Sequence, residues 1–554
     1  MGAFFEVYGK KKYNELTSIL EFTQICDLNI ANKNMTLDND PVIMAGFKDI
    51  GIEKFLNKLQ DAGFTTIVYV QDEQEKNTTR SLKGIFSPGT YFSNEKTKLT
   101  NNTMCIWIEY IEPKLNIIQG KRVEIGIANI DIYTGKTNVF QFSNMYVKRN
   151  PITYDDLERF VSIYNPNEVI IISNMDDSEI NDVIQYTNIH SSLIHKVFLN
   201  NSTTKHELMA NKCEKQTYQK EVISRFYPTM DFSLFVQRFY EQGIAIQSLC
   251  FLLDFVYQHN PFLVDKISEP NFDNVTDRLI LANHSLQQLN IIDDNVFSGK
   301  YSSVLKMLNV CITSMGKRHF RSVFLNPISN CDKLEQEYNI TDYLIQKNYH
   351  YTDLYSHLEN IQDISKWSRQ IILKKVSPKV FYQLTDNIDI IRSMYKFVEK
   401  DSELYTYLDN TDHIQHFDQV LSYCDSVSQV IKTNLKIHLC KDIDDIRTTD
   451  INFIQKGIND QLDEVTTKYI HSLSIRDAIQ KYLNGIIGAG EKKGKNTEYV
   501  KLHETEKSCA QLITTKRRCN ILKSALPSGN ITIKFTSSSD DEQYEVTMEN
   551  FKEQ

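Results

Sequence analysis

The chain has 554 residues, enough for roughly three to four domains at about 150 residues each. Its composition, 41% hydrophobic and 24% charged, is that of an ordinary globular protein, and no run reaches the ~18 uninterrupted apolar residues of a membrane helix. A formal net charge of −9 argues against a chain that is basic all over, so any nucleic-acid contact has to be confined to local basic segments.

Residues 1–100 read as a small α/β domain. A short strand holding Phe4-Phe5-Glu6 precedes the helix-like stretch 11–22, the segment Pro41 to Phe47, an amphipathic helix and the apolar run 65–70. In that helix Ile52, Phe55, Leu56 and Leu59 fall at i, i+3, i+4 and i+7, one apolar face. A polar linker over 94–103 follows. Residues 105–225 alternate strands and helices in a second α/β domain. From 226 to 484 the pattern is almost wholly helical. Its most apolar piece, Gly243 to Tyr257, is broken by Gln247 and Asp254 and reads as a buried helix. After Leu483 the helical pattern ends, and 485–554 holds short β-like pieces with a polar terminus, Ser537 to Val546, expected to fray. The fold class is therefore multidomain, α/β followed by all-α and a small β-rich end.

Ten cysteines run from Cys26 to Cys519 without a Cys-x-x-Cys pair, which speaks against zinc and disulfides and for a reduced, intracellular setting. No apolar segment of signal-peptide type opens the chain. Gly2 is followed four positions later by Glu6 instead of the hydroxyl residue that myristoylation wants.

On an extended segment Phe4 and Glu6 project from the same face, an apolar ring beside a carboxylate. Lys10, Lys11 and Lys12 follow directly. A second basic group comprises Lys492, Lys493, Lys495, Lys516, Arg517 and Arg518, with Lys501, Lys507 and Lys523 nearby. Such runs form either a solvated face or a set of phosphate contacts. The stretch Gly488 to Asn496 imitates a phosphate loop but carries Ala489 and Asn496 where Gly and Ser/Thr are needed, so it reads as a flexible basic loop. Glu124, Asp131, Asp155 and Asp156 are the acids available for two-metal hydrolysis. Asp131 is more simply the Asp of a hairpin rim.

Four blocks in order, FFEVYG, IMAGF, the helix and strand of Ile52 to Gln71, and GIFSPGT at Gly84 to Thr90, resemble the mismatch-recognition domain of the MutS family. Val123 to Lys136 resembles the strand pair of its connector domain, and Leu279 to Ile292 the block that opens its lever. Val304 to Asn330 matches a further lever block, with Thr313, Met315, Gly316, Arg318, Arg321 and Pro327 in place. The phrasing of Ile25 to Asn34 and His503 to Arg518 resembles the branch found in giant viruses and octocoral mitochondria. The resemblance implies a mismatch-recognition domain at 1–100, a ribonuclease-H-like connector at 105–225, a helical core and lever at 226–484 and a clamp-like region at 485–554.

It further implies that Phe4 is a wedge entering a mispaired base step and that Glu6 hydrogen-bonds the displaced base. The ligand would be double-stranded DNA with mismatches or small loops, bound by a homodimer when full length, in a viral factory, cytoplasm or mitochondrion. Two features depart from the family. The basic and aromatic segment usual before the Phe-x-Glu motif is not seen, and neither is the GPNxxGKST loop of its ATPase. The expectation is a DNA-facing portion that is not itself an enzyme and carries no cofactor, ATP and Mg2+ belonging to the full-length family. The alternatives are a MutS-like binder of branched or recombination DNA and a metal-dependent nuclease centred on Asp131.

Overall fold

The structure is a computed structural model that describes residues 4–10, 18–37, 40–71, 79–112, 120–199, 201, 203–228, 231–238, 242–272, 284–293, 299–347, 352–410, 417–446, 449, 451–490, 498–505, 508–525, 533–537 and 543–548. The first strand, β1 (Phe4–Lys10), is followed by α1 (Ile19–Cys26), β2 (Ala31–Leu37), β3 (Asp40–Lys48), α2 (Ile52–Asp61), β4 (Thr66–Gln71) and β5 (Arg80–Phe86). Of the helix expected over 11–22, residues 11–17 lie outside the described ones, and the helix from Ile19 runs on to Cys26. β1, β3 and β2 form an antiparallel sheet in that order, and β4 and β5 a separate hairpin. The apolar face of α2 serves two clusters at once. Leu59, with Phe55, joins Ile19, Phe22, Ile43 and Ala45 beneath the sheet, whereas Leu56, with Ile52, joins Val68, Phe86 and Tyr91 beneath the hairpin.

The second layer begins with β6 (Asn102–Ile111), β7 (Arg122–Asp131) and β8 (Thr137–Met145), a meander. It continues through α3 (Asp155–Tyr164), β9 (Glu168–Ser173), α4 (Asp177–Tyr186), β10 (Leu193–Phe198), α5 (Lys205–Cys213), α6 (Gln216–Phe226), α7 (Phe232–Arg238), α8 (Gly243–His259) and β11 (Asn271–Phe272). The sheet order is β10-β9-β6-β7-β8-β11, with β9 parallel to both β10 and β6. Met104, Ile106 and Ile108 of β6 face α3 and α4, and Cys105 and Trp107 face α8. Burial on both sides is why these strands read as continuous apolar runs. Packing on this sheet runs on to Phe272, past the division expected at 225, because α8 needs a cover for its apolar surface and β11 adds to the edge. Gly126 permits that closeness. A Cβ there would stand 2.4 Å from the Ala245 backbone nitrogen, and Gln141 Oε1 accepts from the amides of Ile244 and Ala245 at 3.0 Å each.

The GIFSPGT segment is the hinge-pin between the two layers. Glu168, fully buried, accepts from Ser87 Oγ at 2.5 Å and from the Gly89 amide at 3.0 Å, and its other oxygen lies 2.8 Å from His195 Nε2. Thr103 Oγ1 donates to the Gly89 carbonyl at 2.7 Å, and Asn101 Nδ2 donates to the carbonyls of Pro88 and Tyr91. A Cβ on Gly89 would meet both Glu168 and Thr103 at 2.5 Å, so this position requires glycine.

Helices then follow: α9 (Ser285–Gln288), α10 (Val304–Leu308), α11 (Ser314–Leu325), α12 (Cys331–Gln346), α13 (Thr352–Asn360), α14 (Ile364–Ile372), α15 (Pro378–Val398), α16 (Ser402–Asn410) and α17 (Phe417–Asn434). Thr313 caps α11 through the Gly316 amide at 3.0 Å. α14 ties this region to the layers before it. Lys366 Nζ donates to the Glu95 carbonyl at 2.7 Å and lies 4.4 Å from the centroid of the Tyr133 ring. Arg369 donates to the carbonyls of Asp265 and Leu263, both at 2.7 Å, and Gln370 Nε2 to Asn94 Oδ1 at 2.8 Å. Asp363, just before α14, binds Arg318 through two bonds of 2.5 and 2.7 Å.

Two compact units divide the chain: residues 1–428 with 441–447, and 429–440 with 448–554. The second contains α18 (Ile437–Cys440), α19 (Asp460–Gly490), β12 (Lys501–Thr505), β13 (Ser508–Thr515), α20 (Lys516–Ala525), β14 (Ile533–Ser537) and β15 (Gln543–Met548). Helix α19 runs seven residues beyond Leu483, where the helical pattern was expected to end. The reason is tertiary: Leu483 and Ile487 pack against Tyr499, Val500, Leu512 and Leu522, and this burial overrides the helix-weakening glycines 485, 488 and 490. Of the terminus expected to fray, 538–542 lie outside the described residues, whereas Gln543 to Val546 belong to β15, which pairs with both β13 and β14, so its backbone groups are satisfied on two sides. No helix among the described residues is long and apolar enough to cross a membrane.

Gly126→Ala should cost about 3 kcal/mol, because neither the β7 backbone nor the first turn of α8 can yield to an added methyl group. A urea-unfolding midpoint equal to that of the parent protein would show that α8 does not press on β7.

Candidate functional site

Register decides which aromatic of the Phe4-Phe5 pair is free. β1 pairs antiparallel with β3, Phe5 opposite Phe47, Glu6 opposite Gly46 and Tyr8 opposite Met44. Phe5 points inward, 6.0 Å from the Phe47 ring, which in turn stacks on Phe55 at 4.2 Å. It also packs on the cluster of Leu56, Val68, Phe86 and Tyr91. Phe4 is left on the outer face at 55% exposure, with Glu6, Tyr8 and Lys10 following it at alternate positions. The strand is an edge of its sheet, with one side unpaired.

Glu6 is held by partners that sequence reasoning did not name. The Tyr8 hydroxyl donates to Glu6 Oε2, and Lys33 Nζ stands 3.7 Å from the same oxygen. Lys33 Nζ also donates to the Tyr8 hydroxyl at 3.2 Å and lies over its ring, 5.1 Å from the centroid. The hydrogen bond to Tyr8, with the nearby Glu6 charge, raises the Lys33 pKa. Tyr8 was accessible from the two-residue alternation. Lys33 was not, because it reaches this face from a register shift between Asn32 and Thr36 in β2. Gly46 lies beneath the carboxylate: a Cβ there would stand 2.6 Å from the Phe5 carbonyl oxygen and 3.1 Å from Glu6 Cγ.

The remaining sequence-derived candidates divide. Lys11, Lys12, Lys492, Lys493 and Lys495 lie outside the described residues. Lys516, Arg517 and Arg518 open α20, where the helix dipole disfavours positive charge. Lys516 and Arg517 are exposed, and the Arg518 guanidinium lies 4.8 Å from the centroid of the Tyr499 ring. They belong to the second unit and Phe4 and Glu6 to the first.

Asp131 is a turn residue. Its Oδ1 accepts from the amides of Asn101 and Tyr133, and its Oδ2 from the Thr134 hydroxyl at 2.6 Å. Burial pushes its carboxyl pKa up. Among the described residues, no three His, Cys, Asp or Glu side chains gather as a metal site, so Glu124, Asp155 and Asp156 do not join Asp131 in one.

A Phe-x-Glu edge strand, a hydroxyl-Pro-Gly joint and a helical region tied by α14 to the linker after β5 and the loop after α8 define a multidomain protein of the kind the sequence blocks resemble. The model of MutS domain III matches residues 284–522. A DNA mismatch repair protein mutS homolog of Acanthamoeba polyphaga mimivirus is 25% identical over 552 residues, covering 94% of this chain and 47% of that protein. The DNA mismatch repair protein MutS of Clostridioides difficile is 22% identical over 353 residues, 62% of this chain and 33% of that protein. That of Fusobacterium nucleatum is 21% identical over 389 residues, 69% and 39% respectively. The chain is thus similar to MutS proteins, through domain III by the matching model and over nearly its whole length by the mimiviral relative. It spans less than half the length of each of these relatives.

Gly46→Ala should force β1 away from β3 at Phe5 and Glu6, at a cost of about 1–3 kcal/mol. Amide exchange should quicken through β1 while β6 and β7 stay protected. Unaltered protection of the Phe5 to Tyr8 amides would refute the close approach.

Proposed function

We propose that this chain binds duplex DNA at mispaired bases or small loops, as the DNA-reading part of a mismatch repair protein. The observation that carries the reading is the β1 edge, where Phe5 is anchored, Phe4 stands free and Glu6 follows on the same face. A ring so placed enters a base step from the minor groove and kinks the duplex. Unstacking costs a few kcal/mol and is cheapest where the base is already mispaired. Glu6 contributes specificity more than affinity. It accepts a hydrogen bond from the displaced base, and its repulsion of phosphate counts against intact duplex. Tyr8 and Lys33 hold the carboxylate until the base replaces one of them, after which Lys33 is available to phosphate.

The match to MutS domain III supports this reading, as do the names of the mimiviral and bacterial relatives. In the same reading Lys492, Lys493, Lys495, Lys516, Arg517 and Arg518 make sequence-independent phosphate contacts. No bond-making step is assigned to the chain. ATP hydrolysis with Mg2+, and a homodimeric ring around DNA, are properties we ascribe to a longer protein of which these residues form the DNA-facing portion.

Phe4→Ala should weaken binding to a mispaired duplex by about 1–3 kcal/mol, the scale of one base–aromatic stack. Weak, salt-sensitive binding to matched duplex should be unchanged. Equal losses on both duplexes, read by fluorescence anisotropy at one salt concentration, would remove the wedge from the reading. Glu6→Ala should raise affinity for matched duplex and so flatten discrimination. A fall in matched-duplex affinity would instead make Glu6 a structural residue, holding Tyr8 and Lys33 in place.

A further inference from the structure

The face of α11 that carries Lys317, Arg318 and Arg321 closes one side of a cavity of ≈ 390 Å³. The facing walls come from the linker at Thr97 to Thr100, the end of α3 at Tyr164 and Asn165, and α10 at Leu305 and Lys306. Four cations reach this space, and among the described residues no carboxylate lines it. Two of the four are neutralised from outside: Lys306 pairs with Asp293, and Arg318 with Asp363. The other two are not. Among the described residues the Lys317 ammonium has no acceptor, and Arg321 reaches only the Ser162 carbonyl, at 3.5 Å. Arg321 stands between this cavity and an adjoining one of ≈ 210 Å³, where Asp293 and His190 are the titratable groups added to the wall. Burial lowers the Arg321 pKa, opposed by the charge of Asp293, which is already engaged by Lys306.

A half-buried guanidinium with a single long hydrogen bond is costly, and an anion with oxygen acceptors on several sides relieves that cost. The hydroxyls of Thr97 and Thr100 and the amide of Asn165 add donors, and the Asn309 carboxamide oxygen is itself buried without a partner. Leu99, Leu305 and the Tyr164 ring supply an apolar wall on which a flat ring can lie. The volume falls at the small end of the range for ligand sites, about 300–1,000 Å³. We propose that this cavity binds a small phosphate-bearing ligand of nucleotide size, its phosphates on Lys317 and Arg321 and its ring against Tyr164. The site shares no residue with the β1 edge and does not depend on the DNA-binding reading.

Calorimetric titration of the whole chain with ADP, without magnesium, should give one saturable site, and inorganic pyrophosphate should compete for it. Lys317→Gln and Arg321→Gln should each weaken ADP at least tenfold. Arg321→Gln alters a packed residue, so Lys317→Gln, which removes no internal contact, is the decisive variant. Replacing Lys492, Lys493 and Lys495 together by Gln should leave the titration unchanged. Absence of saturable ADP binding, or unchanged affinity in Lys317→Gln, would overturn the proposal. So would loss of binding in the triple variant, or displacement of ADP by duplex DNA, which would place the phosphates on a DNA path.

Discussion

Helix α14 is the constraint on which the arrangement of the first unit rests. Three polar positions on its inner side, Lys366, Arg369 and Gln370, are buried, and between them they end on two segments distant in sequence. Those segments are the linker after β5, met at Glu95 and Asn94, and the loop after α8. Asp363 adds the bidentate bond to Arg318, which itself donates to the Leu99 carbonyl at 3.3 Å. Burying these charges is expensive, and it pushes the Lys366 pKa down to about 8. The return is directional. Backbone carbonyls that no strand or helix uses are satisfied by side chains that fit only one alignment of linker, turn and helix. Gly135, at φ +71, lies against the Arg369 side chain and leaves it that space.

The candidate site inherits its order from this scaffold through a chain of apolar contacts. Phe47 links Phe5, Phe22 and Phe55, so the sheet edge, α1 and α2 share one aromatic cluster. That cluster is joined to the sheet of the second layer by the buried Glu168, through Ser87 and Gly89. A wedge residue must be exposed to work, and an exposed aromatic on a mobile strand would lose its binding energy to ordering. In the proposed reading, anchoring the neighbour, Phe5, while leaving Phe4 free meets both requirements with two adjacent residues of the same type.

Charge is distributed in a way the net value of −9 does not convey. Arg318, Lys366 and Arg369 are turned inward onto carboxylates and carbonyls, where they organise the interior and are lost to any external ligand. Lys33 sits on the outer face beside Glu6, and Lys317 and Arg321 border a cavity. Position, more than count, decides what a cation does here.

Residue order and periodicity by themselves determined a good deal. The alternation around Phe4 and Glu6, the apolar stripe of α2 and the buried character of α8 each follow from local spacing, because side-chain direction repeats every two residues in a strand and every 3.6 in a helix. The turn role of Asp131 follows likewise from its own neighbours. The similarity to MutS proteins was legible from the order of the blocks. What only the tertiary structure decided depends on partners distant in sequence. Lys33 meets Glu6 through a register shift, α19 continues past its glycines because Tyr499 and Leu512 cover it, and β15 forms because two strands flank it. The buried cations of α14 are invisible to any pattern of polarity, since a Lys or Arg at helical spacing reads as solvated until the carbonyls that receive it are brought from 95, 263 and 265. Periodicity reports which face a residue takes, and only the assembled chain reports what that face meets.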